Sequence, residues 1–507
     1  MPPYESHSTY AAAEAAAEAF YSEQEYMGKA ANDDSNRRLC CRSAVTVAAV
    51  AAAAAPVVTF WNGAIVVGAG PSGMATAACL QLKGVPCLIL EKSDGIASLW
   101  KHNTYDRLHL HIPKEFCELP HLPFPADFPT YPNRRQFIQY LDNYAAHFKL
   151  DFRFNQQVTS AAFDPAAACW KITTRSCNTS SAAGAGLAAA AAAAGAVVSE
   201  FRARWLVVAS GENAEAVCPV IPGAGDFKGR VLHSSRYKSG ADYQGLRVLV
   251  VGAGNSGMEI ALDLTNFNVT PSLVVRGPVH ILPREVFGKS TFAVAMKLLK
   301  TFPLWFTDSF LVWYAWALMG DTNSYGLHRP AEGPMTIKTK LGKTPVLDVG
   351  TFAKIKNGDI KVVPAIDHLT SNGAQFADGQ VQQFDAIILA TGYRSNVPQW
   401  LNDNCNFFSE EGFPRNPSPK AWKGETGLYI AGLGRKGILG AAFDAKNIAD
   451  DISQLFFAAE LESHARVQPA PQQQQQQLLR KPQMLQVPSF QPNAPTTRPP
   501  QLHTPMN

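Results

Sequence analysis

Ala64-Ile65-Val66-Val67-Gly68-Ala69-Gly70-Pro71-Ser72-Gly73 joins an apolar, β-branched run directly to a glycine-rich turn. The helical pattern Met74 to Leu82 follows at once. This strand, turn and helix order is what a dinucleotide-binding fingerprint needs. The first glycine makes the tight turn, the second lets a pyrophosphate approach the backbone, and the third lets helix pack on strand. Free N–H groups and the positive dipole end of the helix then face the phosphates. The arrangement recurs as Val248-Leu249-Val250-Val251-Gly252-Ala253-Gly254-Asn255-Ser256-Gly257, followed by Met258 to Leu264. One such loop is weak evidence, but two in full context imply two nucleotides on one polypeptide.

The residue closing the next strand separates the two sites. Cys87-Leu88-Ile89-Leu90 ends in Glu91, 23 positions after Gly68 and next to Lys92. A carboxylate there accepts hydrogen bonds from ribose hydroxyls and repels a 2′-phosphate, which suits FAD or NAD. Leu273-Val274-Val275 ends in Arg276, 24 positions after Gly252. A guanidinium there pairs with a 2′-phosphate in bidentate fashion, so the second site reads as NADPH. The plain alternative for Arg276 is a solvated cation at a strand end.

Between the fingerprints stands Phe227-Lys228-Gly229-Arg230-Val231-Leu232-His233-Ser234-Ser235-Arg236-Tyr237, an F-x-G-x-x-x-H-x-x-x-Y pattern. It is similar to the identifying motif of flavin-containing and Baeyer–Villiger monooxygenases. Ala97-Ser98-Leu99-Trp100, Tyr131 to Phe137, Gly211-Glu212-Asn213-Ala214, Leu282-Pro283-Arg284-Glu285, Gly342 to Asp348 and Leu389 to Asn396 resemble one plant branch, the YUCCA flavin monooxygenases of auxin synthesis. The resemblance runs from about Ala64 to about Ile452, with its segments in order. It implies FAD and NADPH as cofactors. The implied reaction is oxidative decarboxylation of indole-3-pyruvate to indole-3-acetate by O2, through a C4a-peroxyflavin.

The expected fold class is α/β, two nested Rossmann-like domains with disordered extensions at both ends. Residues 1–61 read as a low-complexity extension and 62–240 as the first part of the FAD-binding domain. Residues 241–384 read as an inserted NADPH-binding domain, 385–460 as the return of the FAD domain, and 461–507 as a Gln/Pro-rich tail. Ala182 to Ala196, almost all Ala and Gly, reads as a loop insertion. Ala44 to Trp61 is apolar enough to raise a membrane span, but it is mostly alanine, contains Pro56 and runs into the first strand. Phe302 to Met319 reads as a buried or amphipathic helix at the substrate site, so peripheral membrane contact is not expected. A net charge of +4 gives no case for nucleic acid. The expected location is cytoplasmic, with association at the endoplasmic reticulum as the alternative. Nine cysteines show no C-x-x-C and no metal-ligand spacing, which argues against disulfide reductase chemistry and a metal site.

Since the flavin carries the hard chemistry, the protein need only orient it and exclude water. The cofactor-binding set is Gly68, Gly70, Pro71, Ser72, Gly73, Glu91, Lys92, Leu99 and Trp100 for one nucleotide. For the other it is Gly252, Gly254, Asn255, Ser256, Gly257 and Arg276, with Thr391 and Gly392 at the crossing between domains. His111, Asn213, His233 and Asn255 are candidates to face the flavin or nicotinamide. Each also has a plain reading: core histidine for His111, loop filler for Asn255, buttress of the domain interface for His233. The keto acid needs an aromatic pocket, for which Phe287 and Phe302 to Trp316 stand ready. It also needs a cation; Arg134, Arg284 and Lys343 all qualify, and the sequence does not choose. Two further readings are an oxygenase of the same fold acting on nitrogen or sulfur nucleophiles, and a nucleotide-binding regulator. Intact glycines in both loops weigh against the second.

Overall fold

A computed structural model describes residues 57–177, 198–402, 407–415 and 421–467. The expectations for residues 1–56, for Ala182 to Ala196 and for 468–507 lie outside the described residues. The first fingerprint sits in an eight-stranded sheet built around β1 (Val57–Val67). β1 pairs in parallel with β2 (Cys87–Leu90), which pairs in parallel with β3 (Phe152–Arg153). On its other side lies β6 (Val198–Val208), parallel, followed by β5 (Cys169–Ser176) and β4 (Gln156–Asp164), antiparallel. Leu428–Ile430 also pairs with β6, and Leu401–Asn402 caps the β4 edge. α1 (Pro71–Leu82) starts with proline inside its first turn and packs a fully buried run, Gly73 to Leu80, on this sheet. α2 (Arg134–Phe148) begins with a reciprocal cap: Gln136 N donates to Asn133 Oδ1 and Asn133 N donates to Gln136 Oε1. Its inward face, Phe137, Tyr140, Leu141 and Tyr144, joins the same core.

β1 corrects the expected boundary at 62. Residues 57–61 are strand, because β6 extends back far enough to pair Val57 with Ser199 and Trp61 with Ala203. A register shift between Trp61 and Ala64 then carries the strand into the buried part of the sheet. At the other end, residues 461–467, expected in the tail, complete the last helix, Gly437–Val467.

The second fingerprint lies in a five-stranded parallel sheet. Its order is β10 (Lys361–Val363), β9 (Ser272–Val274), β8 (Val248–Val251), β11 (Ala386–Leu389) and β7 (Arg230–His233). Two of these strands were expected elsewhere, β7 in the segment ending at 240 and β11 in the return beginning at 385. The physical reason is the Ala-Ile-Ile-Leu run of β11, buried at every position, which is the pattern of an inner parallel strand. It fills the edge of β8 that β9 leaves open, and β7 then covers β11. α3 (Asn255–Thr265) leads from β8.

Two further helices follow, α4 (Thr291–Thr301) and α5 (Leu304–Met319). α5 is neither wholly buried nor amphipathic. Thr307, Asp308, Leu311, Tyr314 and Ala315 face inward, while Trp305, Trp313 and Trp316 on the opposite side are more than half exposed. Among the described residues no helix is long and apolar enough to cross a membrane.

Candidate active site

The two glycine turns are near copies. Gly68 has φ +110° and Gly252 has φ +111°, a region that favours glycine. A Cβ on Gly68 would stand 2.5 Å from Ala209 O, and one on Gly252 would stand 2.6 Å from Ala390 O. Each turn is thus pressed against one of the two crossings. The third glycines, Gly73 and Gly257, lie under 2 Å from the first glycine's carbonyl by the same measure, so no side chain fits. The middle glycines differ: a Cβ on Gly70 or Gly254 meets nothing within 4 Å. Their backbone faces open space, as a close approach by pyrophosphate requires.

The first turn opens on a cleft of about 510 Å³. Gly68, Gly70, Pro71, Ser72, Glu91, Lys92, Leu99, Trp100 and Asn213 all line it. Glu91 is buried; its two oxygens accept from Ala69 N at 2.8 Å and Ser93 N at 2.9 Å, which holds the carboxylate in the wall. The cleft also contains two buried oxygens with no partner, Ser210 Oγ and Asn396 Oδ1. Buried polar groups are nearly always hydrogen-bonded, so orphans in a cleft wall mark where a polar ligand belongs. With the open face at Gly70, they make these residues fit an FAD. Asn396 and Glu212 were not singled out from sequence, because nothing in one chain distinguishes them from loop residues.

The second fingerprint lies outside this cleft. Asn255 Oδ1 accepts from Leu347 N at 3.1 Å, which ties the start of α3 to the Val346–Asp348 strand. Arg276 is exposed and makes no hydrogen bond or ion pair among the described residues, so its guanidinium is free to meet a phosphate. His111 does not reach the cleft; its Nε2 stands 3.7 Å from Glu259 Oε1, and Tyr105 donates to Glu259 Oε2 at 2.9 Å.

The four defining residues of the motif between the fingerprints all make packing or hydrogen-bonding contacts within the protein. Phe227 is buried, and a Cβ on Gly229 would strike its ring and Asp385 O. His233 ends β7, with Nε2 3.1 Å from Gly392 O and Nδ1 accepting from Ser235 N at 3.2 Å. Those partners select the neutral Nε2–H tautomer, and burial holds its pKa down to about 4. Tyr237 donates to Asp263 Oδ2 at 2.6 Å, joining the motif to α3. At the same crossing Thr391 Oγ1 donates to Val217 O. Thr391, Gly392 and His233 therefore hold the crossing together rather than line the cleft.

The three candidate cations separate clearly. Arg134 donates to Trp100 O and Thr104 Oγ1, each at 2.9 Å, and to Lys101 O, which occupies its guanidinium. Arg284 donates to Leu110 O at 2.8 Å and stacks 3.5 Å over the Tyr131 ring, while its Nε has no partner. Lys343 is exposed and makes no ion pair among the described residues.

A family profile, Flavin-binding monooxygenase-like, matches residues 63–410. The chain belongs to that family. It is 51% identical over 396 residues to the probable indole-3-pyruvate monooxygenase YUCCA9 of Arabidopsis thaliana, covering 78% of this chain and 90% of that one. It is 52% identical to the indole-3-pyruvate monooxygenase YUCCA6 of the same plant, covering 77% and 90%. Among solved structures, an oxidized steroid monooxygenase bound to NADP matches with a TM-score of 0.60 at 18% identity, over 80% of this chain and 86% of that one. A flavin-containing monooxygenase from Stenotrophomonas maltophilia matches with a TM-score of 0.56 at 19% identity, over 78% and 98%. These structures show the fold, and a bacillithiol disulfide reductase from Bacillus cereus shares it at a TM-score of 0.54. Burial pushes the thiols of Cys79, Cys87 and Cys117 up to about 12.

Proposed function

We propose that this flavin monooxygenase converts indole-3-pyruvate, NADPH, H⁺ and O2 to indole-3-acetate, CO2, NADP⁺ and H2O. The observation that carries the reading is identity of about half over about nine-tenths of the length of indole-3-pyruvate monooxygenases. When bound, FAD would supply the hydride-accepting and O2-activating chemistry. The residues do the rest. Gly68, Gly70, Pro71, Ser72 and Gly73 receive the FAD pyrophosphate, Glu91 the ribose, and Ser210 and Asn396 polar edges of the same molecule. Lys92, Leu99, Trp100 and Asn213 complete its wall. Gly252, Gly254, Asn255, Ser256 and Gly257 receive the NADPH pyrophosphate, and Arg276 its 2′-phosphate. His233 transfers no proton in this scheme, since both ring nitrogens are engaged and the ring stays neutral.

The test uses purified full-length protein. With NADPH, O2 and indole-3-pyruvate it should yield indole-3-acetate and CO2. Without oxygen, NADPH should bleach the flavin band with no acetate formed. Failure to bleach rejects the hydride path, and bleaching without product from the keto acid rejects the substrate.

A further inference from the structure

One cation near the flavin cleft lies outside the three that the sequence offered for the substrate. Lys338 lies on α6 (Pro334–Leu341). This helix is fastened at both ends. At its start, buried Asp308 of α5 accepts from Met335 N at 2.7 Å, Thr336 N at 3.1 Å and Thr336 Oγ1 at 2.6 Å. At its end, Arg435 Nη1 donates to Leu341 O at 2.9 Å, and a Cβ on Gly342 would stand 2.2 Å from Arg435 Cδ. Arg435 is itself held, 3.8 Å over the Phe413 ring. Two residues beyond it, Gly437 and Ile438 enter the cleft wall. The last turn of α6 is therefore tied, through Arg435, to the segment that enters the cleft wall.

Lys338 is half-buried there, and its ammonium has a single acceptor, Thr344 Oγ1 at 3.2 Å. It makes no ion pair among the described residues. An ammonium has three donors, so two remain for an incoming acceptor. Glu212, in the cleft wall, is near enough for its charge to be felt yet forms no ion pair with Lys338. Burial lowers the lysine and raises the carboxyl, each partly offset by the other. A partly desolvated cation with spare donors at a cleft rim recognises a small anion. Among the other cations, Arg134 is occupied, Lys343 is in solvent, Arg284 is stacked against Tyr131, and Lys92 lines the cleft beside Glu91, at the end read as taking the ribose.

We propose that Lys338 binds the carboxylate of the 2-oxo acid substrate at the rim of the flavin cleft. This rests on the reading of the protein as a 2-oxo acid monooxygenase. The test compares full-length holoenzyme with Lys338→Met and Lys338→Arg, at saturating NADPH. Lys338→Met should raise KM for indole-3-pyruvate about 10- to 150-fold, the range for one charge-assisted hydrogen bond. Flavin content and the anaerobic rate of flavin reduction by NADPH should not change. Lys338→Arg should recover most of the loss, because the charge is kept. As a competitor against the acid, the methyl ester of indole-3-pyruvate, which cannot lose CO2, should inhibit the wild type only weakly relative to its KM for the acid, and Lys338→Met should narrow that gap. An unaltered KM in Lys338→Met overturns the proposal. So does a matching loss in flavin content or flavin reduction, which a merely structural lysine would produce. If the wild type bleaches with NADPH but makes no indole-3-acetate, the functional reading falls and this proposal with it.

Discussion

At Gly70 the backbone has φ −80°, which any residue adopts, and a Cβ would meet no protein atom within 4 Å. Gly70→Val should therefore fold and melt like the wild-type apoprotein, yet retain no flavin. Full flavin content after purification would sink the assignment of the first fingerprint to FAD. Arg276 argues from the opposite condition, since it is exposed and unpartnered. Arg276→Ala should lower the preference for NADPH over NADH by about 10- to 150-fold in kcat/KM, the ~1.5–3 kcal/mol of a charged hydrogen bond. Equal ratios in wild type and variant would remove the 2′-phosphate from this residue. Both residues were legible in the sequence, because fingerprint spacing fixes their place relative to a strand and a turn. Lys338 and Asn396 were not: their neighbours along the chain say nothing about a cleft formed by residues hundreds of positions away.

At the scale of elements, the F-x-G-x-x-x-H-x-x-x-Y segment is a clamp. It lays β7 against β11, hooks the Thr391–Gly392 crossing through His233, and reaches α3 through Tyr237. The neutral His233 gives this clamp a pH signature. Its pKa is about 4 when folded, below the ordinary value of 6.5. The unfolded chain then binds a proton that the folded chain refuses, so stability falls as pH drops from 6.5 towards 4. The full span is worth roughly 3 kcal/mol. Asp444, pushed up to about 6 by burial, slopes the other way over the lower part of that window. The measurement is therefore a difference. Urea midpoints at pH 7.5 and 5.0 should fall less for His233→Gln than for wild type, since glutamine still donates to Gly392 O and does not titrate. Parallel falls in the two proteins would show that His233 is not held neutral. The motif announced its family in the sequence, and His233 could be read there as a buttress of the domain interface, but its partners at Gly392 and on α3 did not show, because they depend on which strand β7 meets.

For the whole molecule, removal of residues 468–507 should leave kcat/KM for the keto acid within about twofold, since the Gln- and Pro-rich stretch lacks the apolar pattern a site requires. A tenfold loss on cutting after Val467 would place part of the site in that stretch. By itself the sequence determined two glycine turns in strand and helix context, the places of Glu91 and Arg276 at the strand ends that follow them, and the monooxygenase family. These are local: a fingerprint needs only a strand, three glycines and a helix in one short window. Tertiary structure decided what crosses between windows. It moved β7 and β11 into the second sheet, extended β1 back to Val57, and turned three tryptophans of α5 outward. It also engaged Arg134 with backbone carbonyls and tied α6, through Arg435, to the segment that enters the cleft wall. Strand pairing and the partners of a long cationic side chain are set by whichever groups remain unsatisfied after the core has packed. That information resides in the folded whole and in no single stretch of the chain.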